Sequence, residues 1–153
     1  MPRAAGIRRG ALRFLEAAGI PALFEFPLAN GRRADLLGLD RSGRFHLLEI
    51  KSSRADFAAD RKWRDYLGFA DFFYFAVAPD FPLAVLPEGE GIVLCDAYEG
   101  VLLRPPCPRP LPAARRRALL LRFARTAAAR LGERLDPPPD ALHAPAHSQE
   151  SMR

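Results

Sequence analysis

The sequence predicts an α/β domain built on a mixed β-sheet, and three observations carry that prediction. Two strand-like apolar segments, residues 32–39 and 44–51, flank Asp40-Arg41-Ser42-Gly43, the pattern of a β-hairpin. A continuous apolar run over residues 71–78 lies between Gly68 and Pro79 and reads as a strand buried on both faces. Helical periodicity precedes the hairpin, separates it from the apolar run and returns near the C-terminus. At 153 residues and 49% hydrophobic content the chain is sized for one domain, expected over residues 1–135, with a real core.

In chain order, residues 4–18 place Ile7, Ala11, Phe14, Leu15 and Ala18 on one helical face, with Gly19 and Pro21 as the stop. Arg3, Arg8, Arg9 and Arg13 decorate that helix, either as a solvated face or as phosphate contacts. Residues 23–28 read as a first strand, and Asn30-Gly31 as a tight turn into the next. Glu25 on that strand either joins an acidic cluster with Asp35, one strand away, or faces water at the sheet edge.

After the hairpin, Ser53-Arg54-Ala55-Asp56 resembles a capping box and opens a helix expected over residues 54–69. Its wheel gathers Ala55, Ala59, Lys62, Trp63 and Tyr66 on one arc, which carries Lys62 and Tyr66 to the rim of the hairpin's acids. Lys62 has a second reading, a stem lying over Trp63 with its amine in water. Residues 91–96 and 100–104 form a terminal strand pair through Ala97-Tyr98-Glu99. A proline-rich connector, residues 105–110, leads to a helix over about residues 112–135. That helix sets Leu120, Ala124, Ala127, Leu131 and Leu135 on one face. Arg115, Arg116, Arg122, Arg125, Arg130 and Arg134 lie largely opposite, a phosphate-binding stripe or the solvated back of a docking helix. Residues 136–153 lack periodicity and are expected to be disordered, so the i, i+4 pair His143 and His147 is not read as a metal site.

The net charge of +5 favours polyanionic partners. Arginine dominates it: of 23 basic residues only Lys51 and Lys62 are lysines, and a compact amine is not interchangeable with a guanidinium. Two cysteines, Cys95 and Cys107, without a CxxC motif exclude a disulfide scaffold and point to a reducing cytoplasm. No stretch approaches the ~20 apolar residues needed to span a membrane.

The hairpin carries the chemistry. If Asp40 to Gly43 form a type I turn with Gly43 as the left-handed bulge residue, Asp40 faces Arg44 and Asp35 stands directly opposite Glu49. Leu37 then faces Leu47, Leu39 faces Phe45 and Arg33 faces Lys51, all on the face of the two acids. Opposed carboxylates cost roughly 0.2–1 kcal/mol at an ordinary cross-strand pair and more in a dry site, so a positive group belongs between them. A divalent cation fits, since Mg²⁺ is typically held by one or two carboxylates with waters and phosphate oxygens. Lys51, two residues beyond Glu49, adds a cation on the same face, suited to orienting a water or stabilising transition-state charge.

At Asp35 and Glu49-Ile50-Lys51 the sequence resembles the PD-(D/E)xK nuclease superfamily, although Ala34 stands where the motif has its Pro. More narrowly, Gly31-Arg32-Arg33-Ala34-Asp35-Leu36-Leu37, Glu49-Ile50-Lys51-Ser52-Ser53 and Asp60-Arg61-Lys62-Trp63-Arg64-Asp65-Tyr66 resemble the MmcB-like DNA repair family of bacteria, over residues 7–104. The resemblance implies a restriction-endonuclease-like core, in the order αβββαβ followed by a strand pair and a C-terminal helix. It implies a Mg²⁺- or Mn²⁺-dependent nuclease acting on DNA, with Asp35, Glu49 and the Ile50 carbonyl as metal ligands. Lys51 would assist the water, Lys62 would hold phosphate or water, and Glu16 of the first helix is an additional candidate ligand. Arg32, Arg33, Arg115, Arg116 and Arg122 are the candidate DNA contacts, and a homodimer and DNA-repair protein partners stay open. Two other readings remain: a nuclease-like module that binds DNA or a repair protein without cutting, and a plain Glu49–Lys51 ion pair with Asp35 bonded to Arg33.

Overall fold

The computed structural model describes residues 3–139. Contacts divide the chain into two compact units, Met1–Arg115 and Arg116–Arg153. The first contains helix α1 (Arg3–Ala17), strands β1 (Ala22–Pro27), β2 (Arg33–Leu39) and β3 (Phe45–Lys51), and helix α2 (Arg54–Ala59). A 3₁₀ segment over Trp63–Phe69, β4 (Phe72–Val77), a 3₁₀ turn at Leu83–Val85, β5 (Gly91–Cys95) and β6 (Gly100–Arg104) complete it. The second unit carries most of helix α3 (Ala113–Leu135).

The six strands form one sheet in chain order, β1 to β6. β3, β4 and β5 run parallel, and the flanking pairs are antiparallel, so the fold is the mixed α/β sheet read from the sequence. Parallel neighbours need crossover connections, and α2 with the 3₁₀ segment supplies the one from β3 to β4.

The hairpin register follows from its turn chemistry. Gly43 adopts φ +78°, which only glycine accepts without strain, and its N–H donates to Asp40 O at 3.0 Å. Asp40 Oδ1 accepts the N–H groups of Ser42 at 2.9 Å and Arg44 at 3.0 Å, closing the turn. Leu39 consequently faces Phe45, Leu37 faces Leu47 and Leu36 faces Leu48, as the sequence predicts. The predicted pair Arg33 with Lys51 does not form, because the β2–β3 ladder ends at Leu36 and Leu48.

Alternation along the strands gives each sheet face its own cover. On one face α1 buries Ile7, Ala11 and Leu15 against Leu36, Leu48, Tyr74, Ala76, Val93 and Cys95. Ile7, Leu15, Leu36, Leu48 and Val93, fully buried, each contribute roughly 1.5–3 kcal/mol. Gly10 allows the close approach: a methyl there would run into the carbonyl oxygens of Asp96 and Glu99. On the other face Phe73 and Phe75 pack with Trp63, at ring-centroid distances of 5.8 and 5.4 Å, and with Phe57 and Tyr66.

The predicted helix over residues 54–69 is two pieces. Ser53 caps α2 by accepting the Asp56 N–H at 3.1 Å, and the Asp56 carboxylate takes the Ser52 N–H at 3.0 Å. At Asp60 the backbone turns extended (φ −88°, ψ 95°) and the helix stops. Its side chain bonds the Lys62 N–H at 2.9 Å, a local side-chain hydrogen bond that competes with helical geometry. In the second unit Leu131 and Leu135, on the expected apolar face of α3, are exposed. Among the described residues no helix is long and apolar enough to cross a membrane. Residues 140–153, with most of the expected disordered tail and both His143 and His147, lie outside the described residues.

Candidate active site

Where the β2–β3 ladder ends, the two predicted acids take over its hydrogen bonds. Glu49 Oε1 accepts the Asp35 N–H at 3.0 Å, and Asp35 Oδ2 accepts the Ile50 N–H at 2.8 Å. The strands therefore stay joined through carboxylates, and Asp35, Glu49 and the Ile50 backbone form one hydrogen-bonded ring.

Glu49 is 4% exposed and Asp35 half-buried. Burial, and then the charge of Asp35, pushes the Glu49 carboxyl up to about 9. Burial also raises Asp35, against the lowering pull of the Ile50 N–H. Both carboxyls are raised, so the pair favours one bound proton where two bare charges would repel. One buried and one half-buried carboxylate beside a backbone carbonyl are hard oxygen donors of the kind Mg²⁺ and Mn²⁺ take, with the remaining positions left to water and phosphate. Such a cation would replace the proton. Among the described residues no group of three or more His, Cys, Asp or Glu is gathered for a metal, so a site here rests on this pair.

Lys51 shares the Glu49 face and is 5% exposed. Its Nζ donates to Asp60 Oδ2 at 2.7 Å, while Arg33 lies 4.0 Å from Glu25. The alternative in which Glu49 closes on Lys51 and Asp35 on Arg33 is therefore not the arrangement formed. Burial raises the Asp60 carboxyl, but the bonds from Lys51 and the Lys62 N–H outweigh it and hold the group below its usual value. Tyr66 donates its hydroxyl to the Arg33 carbonyl at 3.2 Å. Burial, with the negative charge of Glu49 and Asp35, pushes that hydroxyl to about 12, so it stays a donor at the rim of the acids.

The other predicted residues are spread more widely. The Lys62 side chain is exposed on the link between α2 and the 3₁₀ segment. Glu16 is exposed on α1, which covers the opposite sheet face, so the fold does not bring it to Asp35. Glu25 is exposed with φ +45°, across from Asp35 between the pairs Phe24–Leu36 and Phe26–Ala34. Arg32 pairs with Asp65 at 3.2 Å. Arg115 donates to Gly68 O at 3.0 Å with its guanidinium 4.6 Å from the Phe69 ring centre, a structural tie. Arg116 and Arg122 lie on α3, and Arg122 is exposed.

Sequence reasoning missed two groups. Asp60 is the partner of Lys51; a continuous helix would turn it off the packed arc, which concealed it. The second is a chain of buried polar groups at the far end of the hairpin. His46 Nε2 meets Asp40 Oδ2 at 2.9 Å, and His46 Nδ1 meets the Tyr74 hydroxyl at 2.9 Å.

The family model described as DNA repair protein MmcB-like matches residues 2–137. A solved structure of a protein of unknown function from Silicibacter pomeroyi is 39% identical to this chain, covers 90% of it and 94% of its own length, and superimposes with a TM-score of 0.85. No curated protein matches the chain.

Proposed function

We propose that this chain, which belongs to the MmcB-like family of DNA repair proteins, is a Mg²⁺- or Mn²⁺-dependent nuclease that hydrolyses DNA phosphodiester bonds. The observation that carries the reading is the pair Asp35–Glu49, bound to each other's strands through Asp35 N–H and Ile50 N–H, with buried Lys51 on the same face. Asp35, Glu49 and the Ile50 carbonyl would hold the ion. When bound, the ion supplies Lewis acidity toward a phosphodiester oxygen and lowers the pKa of a water. Asp35 and Glu49 give up their shared proton on taking it.

Lys51 is tethered through Asp60, leaving its remaining N–H donors for the attacking water or for negative charge developing at phosphorus. The Tyr66 hydroxyl stays protonated at the rim, its one proton given to the Arg33 carbonyl. Exposed Arg61, Lys62 and Arg64 follow α2 on the same sheet face, and Arg33 stands beside Asp35, a basic margin suited to backbone phosphates. Arg32 joins that margin, and Arg116 and Arg122 of α3 supply a second basic stretch. These contacts read charge rather than base edges, so the expected substrate preference is for DNA shape.

The test is incubation of the protein with plasmid, branched and single-stranded DNA in Mn²⁺, Mg²⁺ or EDTA. The reading expects strand cleavage that needs the ion and falls roughly 10²–10³-fold in Lys51→Ala. DNA retained without cleavage in either ion would overturn it and leave a nuclease-like binding module.

A further inference from the structure

We propose that Asp60 is a positioning residue that holds the Lys51 ammonium away from Asp35 and Glu49, keeping the space between those carboxylates open for the cation. The inference rests on the metal-dependent reading above and concerns a residue outside its ligand set.

Lys51 is a flexible four-carbon stem ending in a compact charge, buried beside two acids of the same face. Left to itself, the ammonium would settle between Asp35 and Glu49, where the cation is needed. Instead its Nζ is drawn to Asp60 Oδ2 at 2.7 Å. Asp60 is itself held at both ends: its N–H donates to Phe57 O at 3.2 Å, and its Oδ1 accepts the Lys62 N–H at 2.9 Å. The interruption of the helix at Asp60 is what aims this carboxylate at β3. With β3 hydrogen-bonded to β4 through the Lys51–Val77 pair, both ends of the tether are fixed by backbone. Groups that orient metal ligands directly typically matter tenfold or more for affinity, and Asp60 acts one step further out, through Lys51.

A double-mutant cycle on Mn²⁺ binding tests the role, read by calorimetry and independent of cleavage. Asp60→Asn keeps an oxygen for the Lys62 N–H and removes the charge that holds Lys51. It is expected to weaken Mn²⁺ binding about tenfold in the wild-type background. In the Lys51→Met background, where no ammonium can intrude, the same substitution is expected to change the affinity little. Circular dichroism of each variant checks the fold, and Asp60→Glu, which restores the charge, is expected to recover part of the affinity. An equal loss in both backgrounds, or no loss in either, overturns the positioning role alone. Absence of Mn²⁺ binding by the wild type overturns the metal-dependent reading, and this role with it.

Discussion

Replacing Glu49 with Gln should stabilise the metal-free protein, by an amount that grows with pH. Glu49 is 4% exposed, and burial with the charge of Asp35 carries its carboxyl from an ordinary 4.5 up to about 9. The folded state therefore holds a proton that the unfolded chain releases. Stability tied to that proton is fully present below pH 4.5 and is lost as pH rises toward about 9. Each pH unit inside that window costs about 1.4 kcal/mol, so the ceiling near pH 7.5 is about 4 kcal/mol. Gln is neutral throughout. Its carbonyl can still accept the Asp35 N–H, and its amide adds no charge beside the Asp35 carboxylate. Urea unfolding in EDTA should give nearly equal stabilities at about pH 5, and a Gln variant more stable by roughly 2–4 kcal/mol at about pH 8. A gap of the same size at both pH values, or a less stable Gln variant at the higher one, would refute the reasoning. The same change should abolish Mn²⁺ binding, the usual exchange of stability against a charged site.

Other outcomes follow from the same geometry. Lys51→Ala should lower DNA cleavage roughly 10²–10³-fold while leaving calorimetric Mn²⁺ binding in place, because it removes a donor and not a ligand. Gly10→Ala should cost about 1–3 kcal/mol in thermal unfolding, since the added methyl meets backbone oxygens of Asp96 and Glu99 that cannot rotate away. Burial lowers the pKa of His46, against the raising effect of Asp40, so its contribution to stability is present above about pH 6.5 and is lost as pH falls below it. Acid unfolding in the Glu49→Gln background should show that loss, and His46→Gln should flatten it.

What the sequence revealed was local. The Asp-Arg-Ser-Gly turn fixes a register, and the register sets Asp35 beside Glu49 without knowledge of the remaining fold. The apolar run 72–77 reads as buried for the same reason, since no face of it is polar. What stayed hidden depends on partners distant in sequence or on a local competition. The break at Asp60 is invisible to periodicity, because Trp63 and Tyr66 keep their packed side in either geometry. Asp71 and Glu90 show no pattern of their own. Yet the Asp71 carboxylate is buried, taking the Phe45 N–H at 2.7 Å and the Leu111 N–H at 3.0 Å, and Glu90 holds Arg109 through two bonds. The side of the sheet that α1 covers sets where Glu16 lies, and helical spacing alone carries no such information.

The most direct measurement is a calorimetric titration of Mn²⁺ into the wild type, run beside Asp35→Ala and Glu49→Ala. The account predicts that the wild type binds the ion with release of protons from the carboxyl pair, and that each variant loses the binding. A wild type that takes up no Mn²⁺ even with DNA present, or variants that bind it as well as the wild type, would contradict the account.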